Sequence, residues 1–265
     1  MFHNRARVVN QRDLLELPLQ VQLVDKTSSD CNQTGTQLLA IYSSLQESFG
    51  DLHWWPADTD EEMVIGSILV QNVAWKNVVQ AIELLRDQGR LSFRGIFETS
   101  QEELEKSIRS TRFYRTKAKK LKAFATYLND RHDGSLKNLL SIPMHPLRIE
   151  LLNIYGIGRE TADDILLYAA HQPSFVIDTY TVRIFERLGY SPPRNEYEFW
   201  RSWFMKHLPA EPRLFNQYHA LLDRLGHHLC TTHNPRCSIC PLQSLCTFAI
   251  SPKNGSVSSS PHALF

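Results

Sequence analysis

A tight glycine turn between two apolar-periodic stretches constrains this chain more than any other feature. Residues 147–154 (LRIELLNI) place leucine and isoleucine at helical spacing, Tyr155-Gly156-Ile157-Gly158 reverses direction, and a second periodic stretch runs from Arg159 to about Ala170. Two glycines two apart permit positive φ and close backbone approach. The start of the second helix presents unpaired N–H groups that a phosphate oxygen can accept. The expectation is a helical hairpin over about 147–170 that grips a nucleic-acid backbone through Gly156, Gly158, Arg159 and Thr161.

Downstream, Asp178 opens an amphipathic helix with apolar Val182, Ile184, Phe185 and Leu188. An aspartate there caps the helix, and a carboxylate so fixed can also do chemistry. Four of the five cysteines, Cys230, Cys237, Cys240 and Cys246, follow as C-x6-C-x2-C-x5-C. Thiolates are soft ligands, so zinc and iron–sulfur both fit, and disulfides are not expected without an export signal. Structural zinc usually takes two C-x2-C knuckles, and this loop has one; a single contiguous loop suits a [4Fe–4S] cluster. Cys31 stands apart with no assigned role.

The GIGRETAD turn followed by VIDTYTVRI resembles the helix-hairpin-helix base-excision DNA glycosylases, the superfamily of endonuclease III, and the cysteine spacing is similar to that family's cluster loop. The resemblance covers about residues 36–248. It implies an all-α fold of two helical domains flanking a DNA-binding cleft. One is a six-helix barrel over 60–172 that carries the hairpin; the other, from 36–59 plus 173–248, bears the cluster. Residues 1–33 form an N-terminal extension without a role, and 249–265 a flexible tail. The resemblance further implies that Asp178 is catalytic, that the cluster is structural and presents Arg236 and Lys253 to a backbone, and that the partner is double-stranded DNA with a damaged base. By family habit the protein is a monomer.

Trp54-Trp55-Pro56 is similar to a pocket-lining stretch of the 3-methyladenine DNA glycosylase III group, and Trp75 matches an aromatic position there. Trp54, Trp55 and Trp75 are therefore expected to line a base pocket, with Trp75 stacking on the side opposite Trp54. Gln71 matches the family's glutamine that fills the hole left by an extruded nucleotide; an amide can satisfy the edge of an orphaned base. Lys106, Arg109, Arg112, Arg115, Lys117, Lys119, Lys120 and Lys122 crowd one stretch and read as phosphate contacts, Arg112 and Lys117 foremost. Arg112 stands where similar GFY-like turns carry glycine.

Cleaving an N-glycosidic bond builds positive charge on the sugar, which a fixed carboxylate stabilises more in the transition state than in the ground state. Bifunctional family members carry a lysine two residues past the hairpin's last glycine. Here that place holds Glu160, which cannot form the imine, so the resemblance implies a monofunctional glycosylase that uses water and leaves an abasic site. Glu160 in the base pocket would favour a cationic lesion such as 3-methyladenine or 7-methylguanine, and each tryptophan would add about 1 kcal/mol of cation–π attraction. Three other readings stay open: a mismatch glycosylase (thymine or uracil opposite guanine, or adenine opposite oxidised guanine), an oxidised-pyrimidine glycosylase and lyase with a lysine from elsewhere, and a DNA-binding protein without catalysis.

A net charge of +1 decides little, because DNA binding needs a basic face and not a basic total. No apolar run reaches membrane-spanning length, and MFHNRARVVNQRD lacks a signal peptide's apolar core. The expected location is intracellular: the cytoplasm, on the nucleoid in a prokaryote, with no membrane partner. The remaining expectations are a short strand at Val21–Val24, a helix capped by Thr36 and closed by Gly50, and a disordered tail from Ser251.

Overall fold

The structure, a computed structural model, describes residues 28–193 and 196–250. The expected strand at Val21–Val24, the tail from Ser251 and Lys253 lie outside them. The described chain is all-α, with no strand among the described residues: α1 (Ser28–Phe49), α2 (Asp60–Leu69), α3 (Trp75–Asp87), α4 (Phe93–Glu98), α5 (Gln101–Ser107), α6 (Tyr114–His132), α7 (Leu136–Leu140), α8 (Met144–Leu152), α9 (Arg159–Asp164), α10 (Thr179–Leu188), α11 (Tyr197–His207), α12 (Pro212–His228) and α13 (Thr247–Ile250). None of the described helices is long and apolar enough to cross a membrane. Residues 60–164 form eight α-helices, α4 and α7 among them only five or six residues long; α4, capped by Ser92 on Gly95 N–H, is one that the periodicity does not announce.

Helix α2 is buried on every side from Glu62 to Leu69. It starts at Thr59, whose hydroxyl accepts from Glu62 N–H at 3.1 Å, and it packs against α3, α6 and α9. A second group of helices, α1, α10, α11 and α12, closes around stacked aromatic rings: Phe175 and Phe204 lie 4.1 Å apart and parallel, with Phe185, Phe215 and Tyr218 against them. Buried aromatics of this size dominate core energetics. Helix α1 begins at Ser28, so Thr36 lies inside the helix and does not cap it. The early start is allowed by Gly35, where a Cβ would come within 2.7 Å of the His207 carbonyl; only glycine lets α1 pass so close to the end of α11.

The hairpin forms where the glycines place it. Ile154 and Ile157 are buried and pin the turn, Gly156 has φ +88°, and Gly158 is extended at φ −88° as the cap of α9. The expected single helix from Arg159 to Ala170 is α9 followed by one π-helical turn, Ile165–Ala169. All of its side chains are buried, and Ala170 N–H bonds back to the Ile165 carbonyl at 2.9 Å. The wider turn touches both groups, α2 on one side and α12 on the other.

Candidate active site

Helix α10 begins at the centre of the molecule with Asp178 as its cap. The carboxylate is buried, and its Oδ1 accepts from Thr181 N–H at 2.6 Å. Its Oδ2 faces Nε2 of His219 on α12 at 3.7 Å, close enough for an ion pair and too long for a direct hydrogen bond. His219 Nδ1 meets the Tyr168 hydroxyl at 2.6 Å, and the Tyr168 ring packs against Trp55 at 5.5 Å. A continuous path of side chains thus runs from the tryptophans to Asp178.

The three tryptophans form a cluster and not a slot. Trp54, Trp55 and Trp75 lie 5.3–5.5 Å apart pairwise, all tilted or edge-on. A base between Trp54 and Trp75 would need parallel rings about 7 Å apart, two stacking distances, so the expected sandwich is corrected. The rings fill that gap with one another because tilted aromatic contact is itself favourable. All three stay half-exposed, and a base can lie only against their outer surface.

Four carboxyls surround His219, and neighbours decide the charge of each. Burial tends to raise Asp178, but His219 and the Thr181 N–H outweigh it and hold the carboxyl below its ordinary range. Asp164 is pushed up to about 7 by burial, with Asp163 and Asp178 adding to it against His219. Half-buried Glu160 is pushed up to about 8, by burial first and then by Asp164 and Asp178. Asp223 is raised by burial and by Asp178. His219 reaches about 9, because Asp178, Asp164 and Asp223 overcome the burial that opposes its charge. Glu160 therefore shares one electrostatic site with Asp178. Sequence reading missed His219, Tyr168 and Asp164. One signal was available: His219 falls four residues after Phe215 and three before Leu222, a titratable group on the buried stripe of α12.

Asp163, next in sequence to Asp164, plays a structural part. Fully buried, it accepts from Arg148 at 2.9 Å through both oxygens, from Arg201 at 3.0 Å and from the Tyr197 hydroxyl at 2.8 Å. These bonds tie α8, α9 and α11 together.

The basic stretch divides. Lys117 is buried, and its Nζ donates to the Leu69 carbonyl at 2.8 Å and the Thr111 carbonyl at 2.5 Å. Burial, with Lys120 nearby, lowers it to about 8. It is a cap for the end of α2, which corrects its expected phosphate contact: the Leu69 carbonyl lies in the last turn, where the helix runs out of N–H donors, and Lys117 supplies one. Lys122 donates to the Phe97 carbonyl at 3.0 Å and to the Thr99 carbonyl; Lys106 and Arg115 pair with Glu102 and Glu105. Arg109, Arg112 and Lys119 are exposed and have no carboxylate partner among the described residues. Arg112 has φ +54°, the region that favours glycine, and its guanidinium lies over exposed Phe113 at 5.4 Å.

Gln71 lies at the mouth of the hairpin with both ends of its amide engaged. Its Nε2 donates to the Gly156 carbonyl at 3.3 Å and to Thr161 Oγ1 at 3.0 Å, and its Oε1 accepts from Lys120. The Thr161 side chain is buried in this bond, a correction to its expected phosphate contact. A Cβ on Gly156 would fall 2.2 Å from Lys120 Cγ, whereas one on Gly158 would meet nothing within 4 Å. The first glycine thus serves packing, and the second leaves an open approach beside exposed Arg159.

The far end of α10 grips the cysteine loop. Arg183 donates to the Cys230 carbonyl at 2.9 Å; Arg187 donates to Cys230 Sγ at 3.1 Å and the Thr231 carbonyl at 2.9 Å; Cys246 Sγ donates to the Arg187 carbonyl at 3.3 Å. All four thiols are free and half-buried, and Cys240 feels the other three electrostatically. Among the described residues no three His, Cys, Asp or Glu side chains already converge on a metal position. The donor set still suits a soft metal group: four thiols of one loop, with a guanidinium beside one of them to offset thiolate charge.

Residues 65–209 match the family described as HhH-GPD superfamily base excision DNA repair protein. The chain is 38% identical over 208 residues to a Methanocaldococcus jannaschii protein named as a DNA repair glycosylase, MJ1434, covering 78% of this chain and 94% of that one. It superposes on endonuclease III in a non-covalent DNA complex with a TM-score of 0.70 at 25% identity, over 81% of this chain and 96% of that chain. The fold is also that of Helicobacter pylori 3-methyladenine DNA glycosylase MagIII bound to 1,N6-ethenoadenine, with a TM-score of 0.61 at 22% identity over 72% and 94% of the two chains. With the hairpin, the capping carboxylate and the all-α frame in place, the chain belongs to the HhH-GPD superfamily of base excision DNA repair proteins and is a DNA repair glycosylase.

Proposed function

We propose that this glycosylase is monofunctional, extrudes an alkylated purine such as 3-methyladenine or 7-methylguanine from double-stranded DNA, and hydrolyses its N-glycosidic bond with water. The observation that carries this reading is the path of side chains from the Trp54, Trp55 and Trp75 cluster through Tyr168 and His219 to Asp178. The outer tryptophan surface takes the extruded base by stacking. Asp178 Oδ2 lies against the sugar. As the C1′–N bond breaks, its electron pair goes to the base nitrogen, and a cationic alkylpurine leaves as a neutral base. Water adds to C1′ and gives its proton to Asp178, which releases it to solvent. Glu160 and Asp164, each lacking a cation of its own, favour a base that brings one.

On the same reading Gln71, next to the hairpin turn, fills the vacated duplex position. Arg112 and Lys119, together with the Gly158–Arg159 backbone, hold phosphates. Cys230, Cys237, Cys240 and Cys246 would hold a [4Fe–4S] cluster, which supplies a structural clamp when bound. The protein acts as a monomer with its barrel and cluster domains on either side of the duplex.

Product analysis tests the reading on labelled duplexes carrying methylated purine, thymine glycol, uracil or a G·T mismatch, each read before and after alkali. Base release from the methylated duplex, with strands broken only after alkali, is expected, and Asp178→Asn should abolish it while duplex binding persists. Strand scission without alkali together with a borohydride-trapped imine would overturn the monofunctional assignment.

A further inference from the structure

Helix α12 brings an imidazole into the buried junction of α9, the π turn and α10. His219 is 7% exposed, and Tyr168 fixes its Nδ1 at 2.6 Å. Its Nε2 is fully buried, has no hydrogen-bond partner among the described residues, and points at Asp178 Oδ2. Because Thr181 N–H occupies Oδ1, Oδ2 is the oxygen left to act on a sugar, and His219 is the group that faces it.

We infer that His219 is the positioning residue for Asp178: its ring, held from the Nδ1 side by Tyr168, faces Oδ2 and sets the orientation of the carboxylate. The inference rests on the reading of Asp178 as the carboxylate that faces C1′.

The neighbouring carboxyls supply the comparison. Buried Asp164 and half-buried Glu160 on α9 and half-buried Asp223 on α12 face the same imidazole, and all three are raised. Asp178, buried like Asp164 and closest to the imidazole, goes the other way. Without the cation Asp178 would share its neighbours' fate, and a protonated carboxyl offers a developing sugar cation little. Tyr168 contributes geometry. Its own hydroxyl is pushed far above its ordinary value, so it stays a neutral phenol that holds the ring from the Nδ1 side. The titratable groups facing His219 are thus Glu160 and Asp164 from α9, Tyr168 from the π turn, Asp178 from α10 and Asp223 from α12 itself.

The experiment is the pH profile of single-turnover base release from a methylated-purine duplex, for the intact protein, His219→Asn and Tyr168→Phe, with duplex affinity measured beside it. Removing the cation raises the carboxyl, and the active form exists only above that pKa. The acid limb should therefore move up by about one pH unit or more in His219→Asn and by less in Tyr168→Phe. Affinity should hold within about threefold. Tyr168→Phe keeps the ring against Trp55 and decides the matter if His219→Asn does not fold. An acid limb that stays put while the rate falls at every pH overturns the inference. Base release retained by Asp178→Asn would instead sink the assignment of Asp178, which is a separate failure.

Discussion

Replacing Glu160 by glutamine isolates the charge that this site neutralises. The carboxyl goes from an ordinary 4.5 in the unfolded chain to about 8 in the folded protein, through burial and then Asp164 and Asp178. A raised carboxyl costs nothing below about pH 4.5. Between there and pH 8 the unfolded chain gives up its proton and the folded protein does not, so stability falls by at most about 1.4 kcal/mol per unit, to a ceiling of about 5 kcal/mol. Glu160 is half-exposed to water and shares the burden with Asp164, so the expected cost at pH 8 is about 1–3 kcal/mol. Glutamine matches the neutral acid in shape and removes the titration. Denaturant melts at pH 5, 6.5 and 8 should show the two proteins alike at pH 5 and Glu160→Gln more stable by that amount at pH 8, or about 2–10 °C in Tm. Base release at pH 7 should survive, since the acid is already mostly neutral there. Stability curves that run parallel from pH 5 to 8 would refute the reasoning.

The remaining predictions separate structural from DNA-facing roles. Lys117→Ala strips two buried carbonyls of their donor and should cost about 2–4 kcal/mol in denaturant melts without changing the salt slope of duplex affinity; Arg112→Ala should leave stability intact and reduce that slope by about 1. Gly156→Ala meets both a φ of +88° and the Lys120 stem and should unfold more readily, whereas Gly158→Ala should fold normally and bind duplex more weakly, as melts and gel shifts would register. Cys240→Ala should abolish the broad visible absorbance of a bound cluster and lower Tm; an unchanged spectrum would remove the cluster assignment.

Features that are local in sequence were legible in it. The hairpin follows from two glycines between apolar stripes, the α10 start from an aspartate cap, and the cysteine loop from its spacing, because each depends on neighbours a few residues away. Contacts between distant segments were not legible. The exposed or buried fate of the lysines illustrates this: Lys117 and Lys119 are two apart on one helix, yet the first enters the core because the end of α2, far off in sequence, needs a donor. Similarly, the tryptophan spacing announces a ring cluster but not its mutual packing, and nothing near Tyr168 foretells a π turn that carries its hydroxyl to His219.

Four carboxyls of the central junction show how partners, and not residue type, set function. Asp163 meets two guanidiniums and becomes a structural anion. Asp178 meets one imidazole and is held below its ordinary range, while Asp164 and Glu160 have no cation of their own and are pushed toward neutrality. A lysine in place of Glu160 would supply a nucleophile and a positive charge at once; the carboxyl supplies neither and leaves the site short of one cation. A neutral base cannot fill that deficit, but an N-alkylated purine can, and its arrival would draw Glu160 and Asp164 back toward their ionised forms. Lesion binding should then release protons between pH 6 and 8 for a cationic purine and release none for uracil.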